Sequence, residues 1–260
     1  MKPLIHPAIS RACALTLTTL TTLGAAVALL APLQADAQSF CASDGQPRPV
    51  QLMERFINAD CDSCWTDPAT PQAGAGQIAL DWVVPGSKGD DAPLSAVATR
   101  DALARLEASG QPVPAKASNR THSVNRLTGS TLRVAHGLPL ADYLGASIEL
   151  KPVPAVAQGQ RWTAWLALVE TLPAGTEGSP TERNLVRNLL QVSWDGQKKL
   201  SNTEQNQNRF FEARSMAIAQ GANAGRLRVI GWIEDEKKRV RAAAQSRCEA
   251  SPQTPRQGPK

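Results

Sequence analysis

The sequence predicts an α/β fold in its first half and a β-rich extension in its second half. Val50–Asn58 and Gln77–Val84 are short, largely apolar runs of strand type, bounded by polar turns. Leu94–Ser109 repeats its apolar residues near helical spacing, with charged residues between them. From about residue 147 onward the pattern becomes that of strands. The change predicts two subdomains, at residues 38–146 and 147–250.

The second half contains several strand-like segments. Arg161–Leu172 is the most strongly strand-like run in the chain, and Asn184–Trp194 is apolar in a way that fits a helix or a strand. Leu227–Ile233 and Val240–Gln245 flank a charged turn and predict a hairpin. Residues 251–260 are rich in proline and polar residues, which predicts a disordered tail.

A pair of cysteines follows the first predicted strand. Cys61 and Cys64 are separated by two residues, and a strand that ends in Cys-x-x-Cys is typical of thioredoxin-like redox sites. This spacing allows a reversible disulfide, with Cys61 as the attacking thiolate and Cys64 as the resolving thiol. Cys61 is expected to be the more exposed of the two. The prediction is a thioredoxin-like N-terminal domain with weak thiol–disulfide oxidoreductase activity.

The chain after Cys64 conflicts with this prediction. A thioredoxin-like site has a long helix there, whereas residues 66–76 contain Pro and Gly at spacings that permit at most a turn or two. Two alternatives therefore stay open for the pair. One is a short structural disulfide in a non-catalytic envelope protein, and the other is a zinc site. His122 and His136 are the available imidazoles for zinc, but neither lies in a ligand-spaced pair.

Three carboxylates lie close in sequence to the cysteine pair. Asp60, Asp62 and Asp67 would disfavour a nearby thiolate and raise the pKa of Cys61 above that of a neutral site. We therefore expect a weakly reactive pair that forms a stable, reducing disulfide.

The first 37 residues have the pattern of a secretory signal peptide. Lys2 and Arg11 form a basic start, Ala12–Leu33 is apolar, and Ala35-Asp36-Ala37 predicts cleavage after Ala37. A retained membrane anchor is the alternative. No later stretch is long and apolar enough to span a bilayer. The predicted location is the periplasm or the exterior, with protein thiols and disulfides of the envelope as partners.

The number of cysteines fits an oxidising compartment. Of the five, Cys13 would leave with the signal peptide, so four would remain. If Cys61 pairs with Cys64, then Cys41 and Cys248 are left to form a structural disulfide that joins the two ends of the mature chain.

Other motifs are absent or unremarkable. The net charge of +5 is spread along the chain and does not indicate nucleic-acid binding. No phosphate-binding loop, dinucleotide fingerprint or Gly-x-Ser-x-Gly motif is present, so no cofactor is predicted. Four tryptophans are expected in the core because they lie in apolar segments: Trp162, Trp165, Trp194 and Trp232. The basic run between the last two predicted strands is expected to be a solvated turn.

Two islands of sequence resemble a secreted bacterial family, domain of unknown function 1223. The first matches the family's cysteine signature at Glu54, Phe56, Cys61, Ser63 and Cys64. The second, Asn184–Arg187 with Trp194 and Gly196, is similar to its Asn-Val-Val-Arg…Trp-x-Gly segment. The resemblance extends in order from about Val50 to Ala244. It implies a thioredoxin-like fold and no settled activity.

The chain also departs from the family pattern. The Thr-Pro segment that would place a cis-proline opposite the cysteines is absent, and Pro114 is the nearest substitute by position. The chain therefore lacks the residue that the resemblance would assign to substrate docking at the pair.

Overall fold

The computed structural model of the chain describes residues 41–157, 159–195 and 208–248. This part forms twelve β-strands and two α-helices. The helices are α1, Asp62–Trp65, and α2, Arg100–Ser109. The strands are β1 Cys41–Ala42, β2 Gln51–Asn58, β3 Gln77–Val84, β4 Ala117–Ser123, β5 Thr131–His136, β6 Tyr143–Lys151, β7 Arg161–Leu172, β8 Arg183–Asp195, β9 Phe210–Ala217, β10 Leu227–Glu234, β11 Val240–Gln245 and β12 Arg247–Cys248. The predicted signal peptide and tail lie outside the described residues.

The strands form two sheets. One has five strands in the order β12-β1-β5-β6-β9, and the other has seven in the order β11-β10-β7-β8-β3-β2-β4. Within the larger sheet, β2 is parallel to β3 and antiparallel to β4, and β3 contacts β8 in parallel. The remaining pairs of that sheet are antiparallel.

The predicted thioredoxin-like α/β fold with a β-rich extension is wrong. The described chain is mostly β, with two multi-stranded sheets and only two helices. The helix after Cys61 is a single turn of four residues, because the Pro- and Gly-rich segment that follows cannot continue it. Strands from both halves of the sequence share the larger sheet, and the predicted division at residues 146/147 falls inside β6.

Most of the predicted strands are confirmed. β2, β3 and β7 match the predicted segments almost residue for residue, and β10 and β11 form the predicted hairpin. Asn184–Trp194, which fitted a helix or a strand, lies within β8. The predicted helix at Leu94–Ser109 is confirmed only from Arg100. It begins there because the Thr99 hydroxyl accepts a hydrogen bond from the Ala102 amide at 3.2 Å, and it ends at Gly110 in the left-handed region.

Burial on both faces explains the apolar sequence of β7. Alternate residues such as Trp162 and Leu166 enter a core shared with the five-stranded sheet. The intervening residues, such as Trp165 and Val169, enter a second core that also contains residues of α2. A strand covered on both sides has no solvent-facing positions for polar residues. The four tryptophans predicted to be core residues are all buried.

Two charged residues of β2 are buried and paired. Glu54, on one face, accepts two hydrogen bonds from Arg105 of α2, at 2.7 and 2.8 Å. Arg105 also pairs with Glu234 at 2.7 Å and lies over the rings of Trp165 and Trp232. Arg55, the neighbour of Glu54, points to the other face. These pairings explain how β2 can contain charged residues although it is buried.

Candidate functional site

Cys61 and Cys64 are joined by a disulfide at the carboxyl end of β2. The Cys61 amide donates to the Asn58 carbonyl at 2.9 Å, which turns the chain as the strand ends. The Cys64 amide donates to the Cys61 carbonyl at 3.2 Å, which closes the single turn of α1. The predicted pairing of these two cysteines is confirmed.

The exposure of the two cysteines is the reverse of the predicted order. Cys61 is buried, with 9% of its surface exposed, whereas Cys64 is only half-buried. The Ser63 hydroxyl lies 3.6 Å from Cys61 Sγ. An approaching thiolate would therefore reach the Cys64 sulfur more readily, and a hydroxyl is in place beside the sulfur that would leave.

Trp65 fixes the turn that carries the disulfide. Its indole N–H donates to the Glu177 carbonyl at 2.8 Å, and its ring lies below the Arg183 guanidinium, 4.5 Å from the Arg183 Cζ. The Arg183 Nη2 donates to the Trp65 carbonyl at 2.8 Å. The residue directly after Cys64 is thus held through both its backbone and its side chain.

A buried ionic cluster lies behind this turn. The Asp81 carboxylate, fully buried, accepts from Arg55 at 2.6 Å, from Arg183 at 2.8 Å and from the Asn184 amide at 2.9 Å. Two guanidinium groups share one carboxylate, so the cluster carries a formal excess of one positive charge. A positive charge favours the thiolate form of a sulfur close to it, and the cluster reaches the disulfide turn through the Arg183 hydrogen bond to the Trp65 carbonyl. We name Arg55, Asp81 and Arg183 the Asp81 cluster.

The Asp81 cluster also orders the loops around the disulfide. Arg55 donates to the Pro71 carbonyl at 2.7 Å and to the Glu182 carbonyl at 3.0 Å. Arg183 donates from Nε to the Ser179 hydroxyl at 2.8 Å. The segment after Cys64 is therefore held by buried arginines, where the thioredoxin-like prediction required a helix.

Asp60, the residue before Cys61, is hydrogen-bonded to the loop that follows β3. Its carboxylate accepts from the Ser87 amide and hydroxyl, both at 2.8 Å, and from the Lys88 amide at 3.2 Å. Loss of water contact acts to raise the pKa of Asp60, but these hydrogen bonds outweigh it and lower the pKa. A methyl group at Gly86 would lie 2.3 Å from Asp60 Oδ1, so this close approach of the loop requires glycine.

Pro114 lies near the end of β2 without acting as a cis-proline. Its carbonyl accepts a hydrogen bond from the Asn58 side-chain amide at 3.0 Å. Among the described residues the cis peptide bond is Lys151–Pro152, at the end of β6 in the five-stranded sheet. Among the described residues, the position that the family fills with a cis-proline opposite the cysteines therefore has none.

The other two cysteines of the described chain form the predicted second disulfide. Cys41 and Cys248 are bonded and face each other across the β1–β12 pair. Cys41 is 2% exposed, whereas Cys248 is exposed. The predicted disulfide between the two chain ends is confirmed.

The two histidines do not support zinc at Cys61 and Cys64. His122 Nε2 lies 3.2 Å from Glu54 Oε2, in contact with the buried carboxylate but without hydrogen-bond geometry. His136 lies opposite Cys41 in the β1–β5 pair. Over residues 41–157, 159–195 and 208–248, the side chains grouped closely enough to hold a metal are Cys41, His136 and Cys248.

Sequence reasoning found the cysteines but missed the Asp81 cluster. Arg55 lies inside a strand-like run, and a charge at an inward strand position predicts a buried partner. Asp81, inside an otherwise apolar strand, carried the same information. Which carboxylate pairs with which arginine depends on the parallel β2–β3 register, which the sequence does not reveal.

Comparisons with known proteins add little to the site. No family model matches the chain, and no curated protein matches it. Among solved structures the chain is similar to HBP35 of Porphyromonas gingivalis, at 11% identity and a TM-score of 0.47, over 83% of this chain and 81% of that one. This likeness carries no functional argument. In the described ranges, no helix has the length and apolar character needed to cross a membrane.

Proposed function

We propose that Cys61–Cys64 is a redox-active disulfide and that the protein is a weak thiol–disulfide oxidoreductase on a mostly β scaffold. The observation that carries the proposal is the asymmetric exposure of the two bonded cysteines, with Cys64 half-buried and Cys61 buried, at the end of β2. One cysteine is more accessible to a partner than the other, an arrangement that suits thiol–disulfide exchange.

The exchange takes place in two balanced steps. A substrate thiolate attacks Cys64 Sγ, the Cys61–Cys64 bond breaks, and its electron pair goes to Cys61 Sγ as a thiolate. The second thiolate of a dithiol substrate then attacks the substrate sulfur of the mixed disulfide and releases Cys64. The substrate is oxidised to its disulfide and the protein is reduced. In the reverse direction Cys64 is the nucleophile and Cys61 resolves the intermediate, which inverts the roles predicted from the sequence.

The surroundings favour the thiolate products. The excess positive charge of the Asp81 cluster lies behind the residue that follows Cys64, and the Ser63 hydroxyl can donate to the Cys61 sulfur. The Asp60 carboxylate, expected to oppose the thiolate, is bound by Ser87 and Lys88. Asp62 and Asp67 remain exposed near the pair, in keeping with a modest activity.

Trapping of the mixed disulfide tests the proposal. The Cys61→Ser variant leaves Cys64 free and should retain a model disulfide substrate as a covalent adduct, detected by intact-mass analysis. The Cys64→Ser variant should trap much less, because its remaining thiol is buried. The Cys41→Ser/Cys248→Ser variant is the control and should reduce the model substrate at the parent rate. Equal trapping by both single variants, or no reduction by the parent protein, would reject the proposal.

A structural disulfide in a non-catalytic envelope protein is the second candidate. The packing of Cys64 against a small apolar cluster that includes Ile57, Trp65 and Leu185 favours it. This candidate predicts that the reduced pair reacts with alkylating reagents only when the protein unfolds. The kinship with domain of unknown function 1223 stays a hypothesis and is not needed for either candidate.

Export to the periplasm or the exterior is proposed with either function. Two disulfides in the described residues support an oxidising compartment, and the Ala35-Asp36-Ala37 pattern predicts the cleavage site. Protein from the envelope fraction should begin at Gln38 by intact-mass analysis. A chain that still carries residues 1–37 would remove the argument for the compartment.

A further inference from the structure

Three strands of the smaller sheet place Cys248, Cys41 and His136 side by side. β1 lies between β12 and β5, and its Cys41 is the register partner of both Cys248 and His136. The two sulfurs and one ring nitrogen of His136 all lie within 4.8 Å of one another. This grouping comes from three segments far apart in sequence and is separate from Cys61 and Cys64.

The imidazole of His136 has the hydrogen bonding of a metal ligand. His136 is buried, with 4% of its surface exposed. Its Nδ1 lies 2.9 Å from the Gly137 carbonyl, which can only accept, so Nδ1 carries the proton. Nε2 then has a free lone pair, and it is buried with no hydrogen-bond partner among the described residues. A buried nitrogen without a partner is costly. Metal-binding histidines commonly donate their other N–H to a backbone carbonyl in this way.

We propose that Cys41, Cys248 and His136 form a binding site for a thiophilic divalent cation such as Zn²⁺ when the Cys41–Cys248 disulfide is reduced. The same two cysteines thus either form the disulfide or bind the metal. Either one would join β1 to β12 and hold the two ends of the described chain together.

The chemistry balances in two steps. A dithiol reductant converts the disulfide to two thiols and is itself oxidised to a disulfide. Binding of Zn²⁺ then displaces one proton from each thiol, with the Nε2 lone pair as the third donor. Zn–S bonds of about 2.3 Å place the sulfurs of a tetrahedral site about 3.8 Å apart. The two sulfurs, 2.04 Å apart in the disulfide, would therefore move apart on reduction, and His136 already lies within 4.8 Å of both. With three protein ligands, water would supply the fourth ligand of a tetrahedral site, and Cys248 is exposed to solvent.

Cobalt and zinc titrations of the reduced protein test the site. The parent for this experiment is the full chain with Cys13→Ser, Cys61→Ser and Cys64→Ser, so that Cys41 and Cys248 are its only thiols. After anaerobic reduction by a phosphine, one Co²⁺ per chain should produce sulfur-to-metal charge-transfer bands and the strong visible bands of tetrahedral coordination. Zn²⁺ should displace the Co²⁺ and restore much of the thermal stability that reduction removes.

The His136→Asn variant tests the third ligand, and His122→Asn is its matched control. Loss of His136 should weaken Co²⁺ binding at least ~10–100-fold, the effect known for less direct partners of metal ligands, and His122→Asn should leave it unchanged. X-ray absorption of the zinc-loaded parent shows the ligands even if His136→Asn fails to fold. Two sulfurs with one imidazole are expected; sulfur-only or oxygen-rich coordination would overturn the site, as would absent tetrahedral bands. In a chain with Cys41→Ser and Cys248→Ser, equally tight binding would assign the metal to Cys61 and Cys64 and also overturn it.

Discussion

The two disulfides of the described chain differ most in the length of sequence that they close. Cys41–Cys248 joins residues 207 apart, whereas Cys61–Cys64 joins residues three apart. In the loop-entropy model the first removes about 5 kcal/mol of denatured-state entropy and the second roughly 2 kcal/mol, both as upper limits. The long disulfide therefore has a sufficient explanation in stability. The short disulfide adds less stability, so its role has to be explained from the residues around it.

The surroundings differ as well. Cys41 is paired on both sides by strands of a sheet and lies beside the buried imidazole of His136. Cys61 and Cys64 lie at a turn outside the sheet, held by Trp65 and backed by the Asp81 cluster. Separation in sequence thus determines how much each disulfide stabilises the fold, and the neighbouring charges and donors determine its chemistry.

Disruption of the Asp81 cluster should produce the largest loss of stability. It should also remove the charged support that distinguishes the surroundings of Cys61–Cys64 from those of Cys41–Cys248. Asp81→Asn leaves two buried guanidinium groups without their carboxylate, which typically costs about 3–5 kcal/mol. For a chain of this size we expect Tm to fall by about 6–20 °C in calorimetry. Asp44→Asn, which removes an exposed partner of Arg133, is the control and should change Tm little. A comparable loss from both variants would contradict the role assigned to the cluster.

Removal of each disulfide tests the comparison directly. Cys41→Ser/Cys248→Ser should lower the free energy of unfolding by about 2–5 kcal/mol, because the denatured chain gains the freedom of a very long loop. Cys61→Ser/Cys64→Ser should lower it by at most about 2 kcal/mol. Denaturant unfolding of both variants in the same buffer gives the two values. If the short disulfide proved the more stabilising, the structural candidate would become the better account of it.

Acid unfolding tests the scaffold that both regions share. Burial acts to raise the pKa of Glu54, but the charge and hydrogen bonds of Arg105, together with the contact to His122, outweigh it and lower the pKa to about 2. A carboxyl whose pKa is depressed on folding stabilises the protein above its unfolded pKa, near 4.5, and this contribution is lost as the pH falls towards 2. The contribution is on the order of 3 kcal/mol.

The measurement is the free energy of unfolding between pH 6 and pH 2. Glu54→Gln should be less stable than the parent at pH 6 and should show a flatter decline below pH 5. If the free energy of unfolding fell equally steeply in both proteins, other carboxylates would be the cause of the stability loss at low pH. Above pH 5 this group does not titrate, so thiol reactivity measured there reports on the cysteines and not on Glu54.

The sequence was most informative for local features, namely which segments form strands and which cysteines pair. The apolar runs of β2, β3 and β7 identified them as strands. Adjacency identified the Cys61–Cys64 disulfide, and elimination then identified Cys41–Cys248. The fold class failed because sheet membership depends on pairings between distant segments, such as the contact of Asp81 in β3 with Leu185 in β8. The relative exposure of Cys61 and Cys64 failed for a similar reason. It depends on loops fixed by Arg55 and Arg183, whose partners lie up to 127 residues away.

The smallest expected effect concerns Asp62, the charged residue between the two sulfurs. Asp60 is bound by Ser87 and Lys88, and the Asp67 carboxylate accepts from the Ala69 amide at 2.8 Å. Asp62 is exposed, so its charge acts on the reduced pair through solvent. Repulsion between one exposed carboxylate and a nearby thiolate through solvent is about 0.5–1 kcal/mol. Asp62→Ser should therefore speed alkylation of the reduced protein at pH 7 by about two- to five-fold, with Cys64 labelled before Cys61 in peptide mapping.

The matched control is Asp142→Ser, which removes an exposed carboxylate beside β6 in the five-stranded sheet. It should leave the alkylation rate at the parent value. Added salt should narrow the difference between Asp62→Ser and the parent, because screening weakens interactions between exposed charges. A salt-independent acceleration would point to a change in the structure of α1 instead of a change in charge. If Cys61 were labelled first, the exposed-sulfur assignment of Cys64 would fail and with it the order of attack in the exchange reaction.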